Sequence, residues 1–290
     1  MDILQDIKTT FKEGSALTRL IYINIGVFLL VKIIGVLFFL AGQPSVIVSW
    51  LAVPSNLSGL ILKPWTIITY MFFHVGFIHI LFNILGLYWF GKLFLYHFEG
   101  NKLLSVYLMG GIAGAVLYVI AYNLFPVFQT VNGLLLGASA SIFAILVATA
   151  FYDPNREIMI PLIGTFPLKY VTAFYVLLSV IGISTSNPGG NIAHLGGAFW
   201  GWFYIYRLGK GKEMGTGIVK LIDKIVALFK PKSKLKVTFK QPPPRDDHEY
   251  NRLKNIQQQE INKILEKIAK SGYDSLTKTE KEILFKQGKK

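Results

Sequence analysis

The sequence predicts an all-α polytopic membrane protein: six transmembrane helices in a bundle, followed by a small cytoplasmic helical tail. Three observations carry that reading. Between about Leu20 and Tyr206 the chain is mostly apolar with few charges, and the region divides into stretches long enough to cross a bilayer. From Gly209 onward 20 Lys/Arg stand against 10 Asp/Glu, so the tail holds +10 of the formal +14, whereas a soluble protein of 290 residues would spread its charge. The Lys and Arg outside the tail also fall almost entirely in alternate loops.

Residues 1–19 form a polar cytoplasmic segment, with Lys8, Lys12 and Arg19 ahead of the first apolar run. That run, Leu20 to about Ala41, is too long for the core of a cleavable signal peptide and suits a span. Gly42–Pro64 is apolar in patches but broken by Pro44, Pro54, Asn56, Ser58 and Gly59, so it reads as a loop partly sunk in the interface. The second span runs from about Gly76 to Leu95, the third from about Leu103 to Leu124, and the fourth from about Leu135 to Phe151. Asp153 to Glu157 end it with charge and a turn; Ile158–Leu168, interrupted by Pro161 and Pro167, belongs at the interface. The fifth span covers about Lys169 to Ser184, and after the turn Thr185–Gly190 the sixth covers about Asn191 to Tyr206. These spans make residues 20–208 the membrane domain and put both termini on one side. One set of loops carries Lys8, Lys12, Arg19, Lys92, Lys102, Arg156, Lys169 and the tail, the other only Lys63, so both termini are assigned to the cytoplasm.

Residues 209–245 form a basic amphipathic and linker segment. Ile218, Leu221, Ile222, Ile225, Leu228 and Phe229 recur at helical spacing among lysines, which suits a helix resting on the membrane surface. Lys232, Lys234, Lys236 and Lys240 follow, then the stiff Pro242-Pro243-Pro244. Residues 246–290 predict a small helical module, with Ile256, Ile261, Ile264, Leu265 and Ile268 on one stripe and a capping box from Thr277 to Glu280. The basic excess fits anionic lipid near the tail better than nucleic acid. The absence of cysteine excludes disulfides, thiolate metal sites and cysteine nucleophiles.

Polar side chains inside spans are costly, and four stand out: His79, Asn83, Ser139 and His194. Ser139 lies about four residues, roughly 6 Å, below the start of its span, and His194 roughly 5 Å below the start of its own. His79 and Asn83 are one turn apart on a shared face. Each has a structural reading when taken alone: a packing hydroxyl, a polar contact, an inter-helix hydrogen bond. Packing is the commoner role for a serine among small residues. Three spans presenting polar groups at one level, just below the outer surface, argue instead for a site. Gly197 and Gly201 lie below His194 on one face, and Gly137, Ala140, Ser141 and Ala144 offer matching small residues near Ser139. If those helices pack, the imidazole reaches the serine and takes its proton during attack, with Phe143 near the ring to orient it. Between Glu13 and the tail the only acids are Glu99, Asp153 and Glu157, all in cytoplasmic loops, so only a Ser–His dyad can form. Asn83, His79 and the Ser139 backbone N–H are candidate oxyanion donors. No metal motif and no cofactor site occurs. A small transporter is the rival from another class, disfavoured by the lack of an evident internal repeat.

At these residues the chain resembles the rhomboid family of intramembrane serine proteases. Gly137-Ala138-Ser139-Ala140 is similar to the family's Gly-x-Ser-Gly and implies Ser139 as nucleophile. Ala193-His194-Leu195-Gly196-Gly197 with Gly201 resembles the Ala-His-x-x-Gly-x-x-x-Gly of its last core helix, implying His194 as base. His79-Ile80-Leu81-Phe82-Asn83 matches His-x-x-x-Asn, implying oxyanion stabilisation. The resemblance covers about residues 15–210. It implies cleavage of transmembrane-helix substrates near the outer face of a bacterial cell membrane, makes 43–65 the membrane-dipping first loop, and puts Pro188–Asn191 in a mobile cap. The tail looks like the helical appendage of some bacterial members. Two positions depart from the pattern. Ala140 replaces the usual glycine, adding a methyl where two helices approach, and opens the alternative of a catalytically silent relative that binds membrane clients. Thr66 follows Trp65 where Trp-Arg is common, which would loosen the first loop.

Overall fold

The computed structural model describes residues 3–160, 163–215, 217–219, 224 and 247–287. The chain divides into two compact units, Met1–Lys230 and Pro231–Lys290.

The first unit opens with α1 (Ile3–Glu13) and α2 (Ala16–Leu40). Ser15 separates them, its Oγ accepting the Thr18 N–H at 3.1 Å, and Arg19 donates back to the Phe11 and Lys12 carbonyls. Only Leu17, Leu20 and Asn24 of α2 are buried, while Phe39 is 80% exposed. So much bare apolar surface is stable only against lipid. Lys32, which the loop tally leaves out, lies midway along this helix, its ammonium over the Phe28 ring.

The stretch expected to be an irregular loop contains short helices, α3 (Ile47–Leu51) and α4 (Leu57–Leu62), with strand β1 (Val53–Pro54) between them, and α5 (Thr66–Thr69) follows it. It is tied down rather than loose. Trp50 and Trp65 stack at 5.7 Å, the Trp65 indole donates to the Trp50 carbonyl, and buried Thr66 donates to the Lys63 carbonyl at 2.7 Å. A short hydroxyl thus anchors the loop at the position where an arginine is common.

Next come α6 (Phe77–His97) and α7 (Gly100–Leu124), strand β2 (Leu134–Leu135), and α8 (Ser139–Tyr152). The hairpin of β3 (Glu157–Ile160) and β4 (Gly164–Pro167) precedes α9 (Leu168–Thr185) and α10 (Pro188–Leu208). The expected spans correspond to α2 and α6 to α10, and α2, α6, α7 and α9 are by themselves long and apolar enough to cross a membrane. The hairpin replaces an interface segment without assigned structure, its pairing running from Glu157 opposite Pro167 to Ile160 opposite Gly164.

The fourth span differs from expectation in a way that matters. Its helix begins at Ser139, not Leu135, and Leu134–Leu135 pair with β1 instead. Ser55 reinforces this pairing, its N–H bonding the Gly133 carbonyl at 3.0 Å and its Oγ accepting the Gly133 N–H at 3.0 Å. With 14 residues α8 is about 21 Å long, shorter than the roughly 30 Å apolar layer, and every side chain from Ala140 to Ala150 is buried. It is the central helix of the bundle, and its first residue lies inside the protein.

The close packing around it comes from small residues. A Cβ on Gly197 would strike the Ala140 carbonyl oxygen, and one on Gly201 would strike that of Ala144, so α10 lies directly against the α8 backbone. The Ala140 methyl faces Gly114 of α7, where a Cβ would stand 2.6 Å from it. Glycine on the neighbouring helix makes the room that alanine takes up.

The second unit contains α11 (Asp247–Ser271), a 3-10 turn (Tyr273–Ser275) and α12 (Lys278–Gln287). The capping box is present: the Thr277 N–H donates to Glu280 Oε2 at 2.7 Å and the Glu280 N–H to Thr277 Oγ1 at 3.4 Å. Of the expected apolar stripe, Ile264 is buried and Ile261 and Ile268 are half-buried, but Ile256 and Leu265 are exposed. The amphipathic segment Met214–Phe229 lies mostly, and Lys232–Pro244 wholly, outside the described residues.

Candidate active site

The chain reaches Ser139 by a sharp reversal. Gly137 has φ of +112°, a conformation that glycine adopts freely, and its N–H donates to the Tyr70 carbonyl at 2.9 Å. The reversal ends the β2 extension and starts α8. The first helical bond runs from the Ile142 N–H to the Ala138 carbonyl, so the N–H groups of Ser139, Ala140 and Ser141 precede the ladder and point out of the helix end.

On α10, Asn187 is the N-cap, in the left-handed region at φ of +49°, and its Oδ1 accepts the Gly190 N–H. Pro188–Asn191, expected in a mobile cap, form the first turn of this helix. The helix therefore begins three residues earlier than expected, and His194 lies about 9 Å, not 5 Å, from its start. Ser139 likewise heads its helix instead of lying a turn inside it. The two shifts compensate, because α8 starts deep in the bundle.

His194 Nε2 and Ser139 Oγ are 2.8 Å apart, a strong hydrogen bond between residues 55 apart in sequence. The Phe143 ring, one turn below Ser139, stacks on the imidazole with centroids 4.3 Å apart and planes within 9°. Tyr175 of α9 meets Phe143 edge-on, holding the stack from outside. Ser141, by contrast, is fully buried and makes a long contact to Met71 Sδ, which is a packing role.

His79 lies against the reversal. A Cβ on Gly137 would come within 2.8 Å of its Cε1 and Nε2, so the ring fills the space that glycine leaves. Asn83, one turn on, is buried and donates to the His79 carbonyl at 2.8 Å, leaving its second Nδ2 hydrogen free of that bond. Asn83 and Ser139 both line a cavity of about 300 Å³ whose other walls are mainly Phe82, Gly86, Phe90, Ile142, Phe143 and Tyr175. The four polar residues singled out from sequence therefore lie around one point, with Gly137, Phe143, Gly197 and Gly201 in contact with them or with their helices.

Two further groups belong here that sequence patterns did not single out. His74, just ahead of α6, accepts the Ala138 N–H on Nε2 at 3.3 Å and packs edge-on to His79. Ser179 of α9 bonds His194 Nδ1 at 3.2 Å. No sequence-local signal marks either one. Each is a single polar residue whose partner comes from a distant element.

The acid that follows α8 is far from the site. Asp153 follows the far end of α8, about 20 Å from Ser139, and pairs with His97 at 3.0 Å. Among the described residues no group of three or more His, Asp or Glu is placed to hold a metal ion. What the arrangement offers chemically is a hydroxyl with a base attached, unpaired N–H groups at the hydroxyl-bearing residue, and an apolar cavity beside them.

Comparison with known proteins identifies the family. The family model of the rhomboid domain matches residues 62–211, and that of a family of unknown function (DUF6576) matches residues 246–290. Among curated relatives, RHOMBOID-like protein 12, mitochondrial, of Arabidopsis thaliana is 29% identical over 158 residues, covering 51% of this chain and 47% of the relative. Rhomboid protease GluP of Bacillus subtilis is 29% identical over 154 residues, covering 53% of this chain and 28% of the relative. RHOMBOID-like protein 7 of Arabidopsis thaliana is 28% identical over 141 residues, covering 48% and 41%. The chain thus spans less than half the length of each. With the rhomboid model matched over more than half of its residues, this multi-pass membrane protein belongs to the rhomboid family.

Proposed function

We propose that the protein is an intramembrane serine endopeptidase that cleaves transmembrane-helix substrates near the outer face of the cell membrane. The observation that carries this reading is the 2.8 Å contact between Ser139 Oγ and His194 Nε2, at a helix end with unpaired N–H groups. A neutral imidazole in that position takes the hydroxyl proton as Oγ attacks the scissile carbonyl carbon. The tetrahedral oxyanion is met by the Ser139 N–H, with Asn83 and His79 as side-chain donors. The imidazolium then protonates the leaving amine, the C–N bond breaks, and an acyl-serine remains. Water, deprotonated by the same nitrogen, hydrolyses it and restores the serine. No cofactor or metal takes part.

The cavity beside Ser139 is mainly apolar, which suits an apolar side chain next to the scissile bond. A stable helix hides its carbonyls in its own hydrogen bonds, so substrates with helix-breaking residues near the cut are favoured. In this reading six spans, α2 and α6 to α10, form the protease domain over residues 20–208, both termini are cytoplasmic, and the basic 209–245 segment meets anionic lipid. The residue 246–290 module is an appendage without chemistry of its own. The test is cleavage of a reporter carrying a transmembrane helix with small and helix-breaking residues, reconstituted in liposomes. Cleavage by the wild type that Ser139→Ala and His194→Ala each abolish supports the proposal. Cleavage that survives both substitutions refutes it.

A further inference from the structure

Among the described residues no carboxylate stands behind the dyad, yet His194 Nδ1 is not left to solvent. We propose that Ser179 is the positioning residue of this site, the third member of a directed hydrogen-bond relay that holds His194 in the one tautomer able to act as base. The proposal rests on the reading of Ser139 as nucleophile and His194 as base.

In the proposed relay the single proton of Ser179 sets the direction. The Tyr175 carbonyl, one turn before Ser179 on α9, can only accept, and Ser179 Oγ–H donates to it at 3.1 Å. A hydroxyl has one proton; given to the carbonyl, it leaves the same oxygen to accept from His194 Nδ1 at 3.2 Å. Nδ1 therefore carries the imidazole hydrogen, and Nε2 is bare. The bare nitrogen is the one facing Ser139 Oγ at 2.8 Å, where it receives the hydroxyl proton. The polarity runs without a break from Ser139 through His194 and Ser179 to the Tyr175 carbonyl.

Three features make the relay durable. Ser179 is 3% exposed, so little water competes for its oxygen. The Phe143 stack prevents the ring from turning over. When His194 becomes an imidazolium, its Nδ1–H already has an acceptor in place, and no group must reorient during the reaction. Triad enzymes obtain the same tautomer control from a buried carboxylate. Here a neutral hydroxyl, oriented by a backbone carbonyl, supplies the orientation without the charge. It comes from α9, a helix separate from the two that carry the dyad.

The experiment combines ring-nitrogen NMR of 15N-histidine-labelled protein in detergent with cleavage kinetics, for the wild type, Ser179→Ala and Ser179→Thr. The His194 signal is assigned by its loss in His194→Gln. The wild type is expected to show the proton on Nδ1. In Ser179→Ala the other tautomer is populated and kcat falls about tenfold, the worth of one buried neutral hydrogen bond, with KM unchanged. Threonine keeps the hydroxyl and restores both readings. A wild-type signal with the proton on Nε2 overturns the relay, and so does an alanine variant with unchanged tautomer and kcat. The spectrum needs no turnover, so the two readings fail separately. A tautomer that shifts as expected in a protein that never cleaves leaves the relay standing and removes the protease reading.

Discussion

The approach of α10 to α8 through Gly197 gives the sharpest quantitative expectation. Gly197 is one turn below His194, and a Cβ placed there would strike the Ala140 carbonyl oxygen and lie 2.8 Å from the Ala140 carbonyl carbon. Carbon atoms rest at roughly 3.5–4.0 Å from one another, and the obstacle is helix backbone, which no rotamer change can clear. Gly197→Ala must therefore push α10 away by about 1 Å at this level. The base moves with the helix, and the 2.8 Å contact to Ser139 opens to about 3.8 Å, beyond hydrogen-bond range. Overpacking of this kind costs about 1–3 kcal/mol of stability, which leaves the bundle folded. A misplacement of about 1 Å at the reacting groups costs on the order of 100-fold in rate. The assay is kcat/KM on a transmembrane reporter in detergent, with thermal unfolding of the same samples. Gly35→Ala is the control, because nothing lies within 4 Å of a Cβ there. A Gly197→Ala protein that keeps the wild-type rate would refute the argument that helix proximity gives Ser139 its base.

Three further expectations concern separate parts of the molecule. Asn83→Ala should lower kcat about 100-fold, the usual loss for one oxyanion donor, with folding checked by unfolding midpoint; an unchanged kcat removes Asn83 from the reaction. Ala140→Gly should leave the rate within a factor of about two and cost about 1 kcal/mol, since the methyl fills space at Gly114 and glycine weakens a helix; a large gain in rate would show that the methyl obstructs the site. In the tail, the Thr277 N–H and the Lys267 ammonium hold the Glu280 carboxyl down at about 2, from an ordinary 4.5. A carboxyl depressed on folding stabilises the α12 cap fully above pH 4.5, and that contribution is lost as pH falls toward 2. Hydrogen exchange of the first α12 amides should accelerate over that window and become independent of pH in Glu280→Gln, after correction for intrinsic rates.

Much of the architecture was legible because a bilayer makes helix length and loop charge unusually plain. The Ser139–His194 contact was legible too, through the glycine spacing that brings two helices together. What stayed hidden depends on contacts between distant residues. Leu135 and Leu136 read as helix because they are apolar, but β1, some 80 residues earlier, captures Leu134–Leu135 as strand, and Gly137 then turns the chain. Pro188 reads as part of a turn, yet proline at the first helical position is favourable, and Asn187 caps it. Ser179 is an isolated hydroxyl in an apolar span, indistinguishable in sequence from a packing serine. Only the placement of α9 beside α10 turns it toward an imidazole. The Ala140 methyl shows the same limit: its cost depends on Gly114, which no local motif connects to it.

In the proposed function Ser139 is a nucleophile activated by His194. The most direct measurement is reaction of the full-length protein with a fluorophosphonate, followed by peptide mapping of the adduct by mass spectrometry. A single phosphonylated residue, Ser139, is expected, with loss of the adduct in His194→Ala while the fold stays intact. An adduct on another residue, an adduct formed equally well without His194, or none on the folded wild type would contradict it.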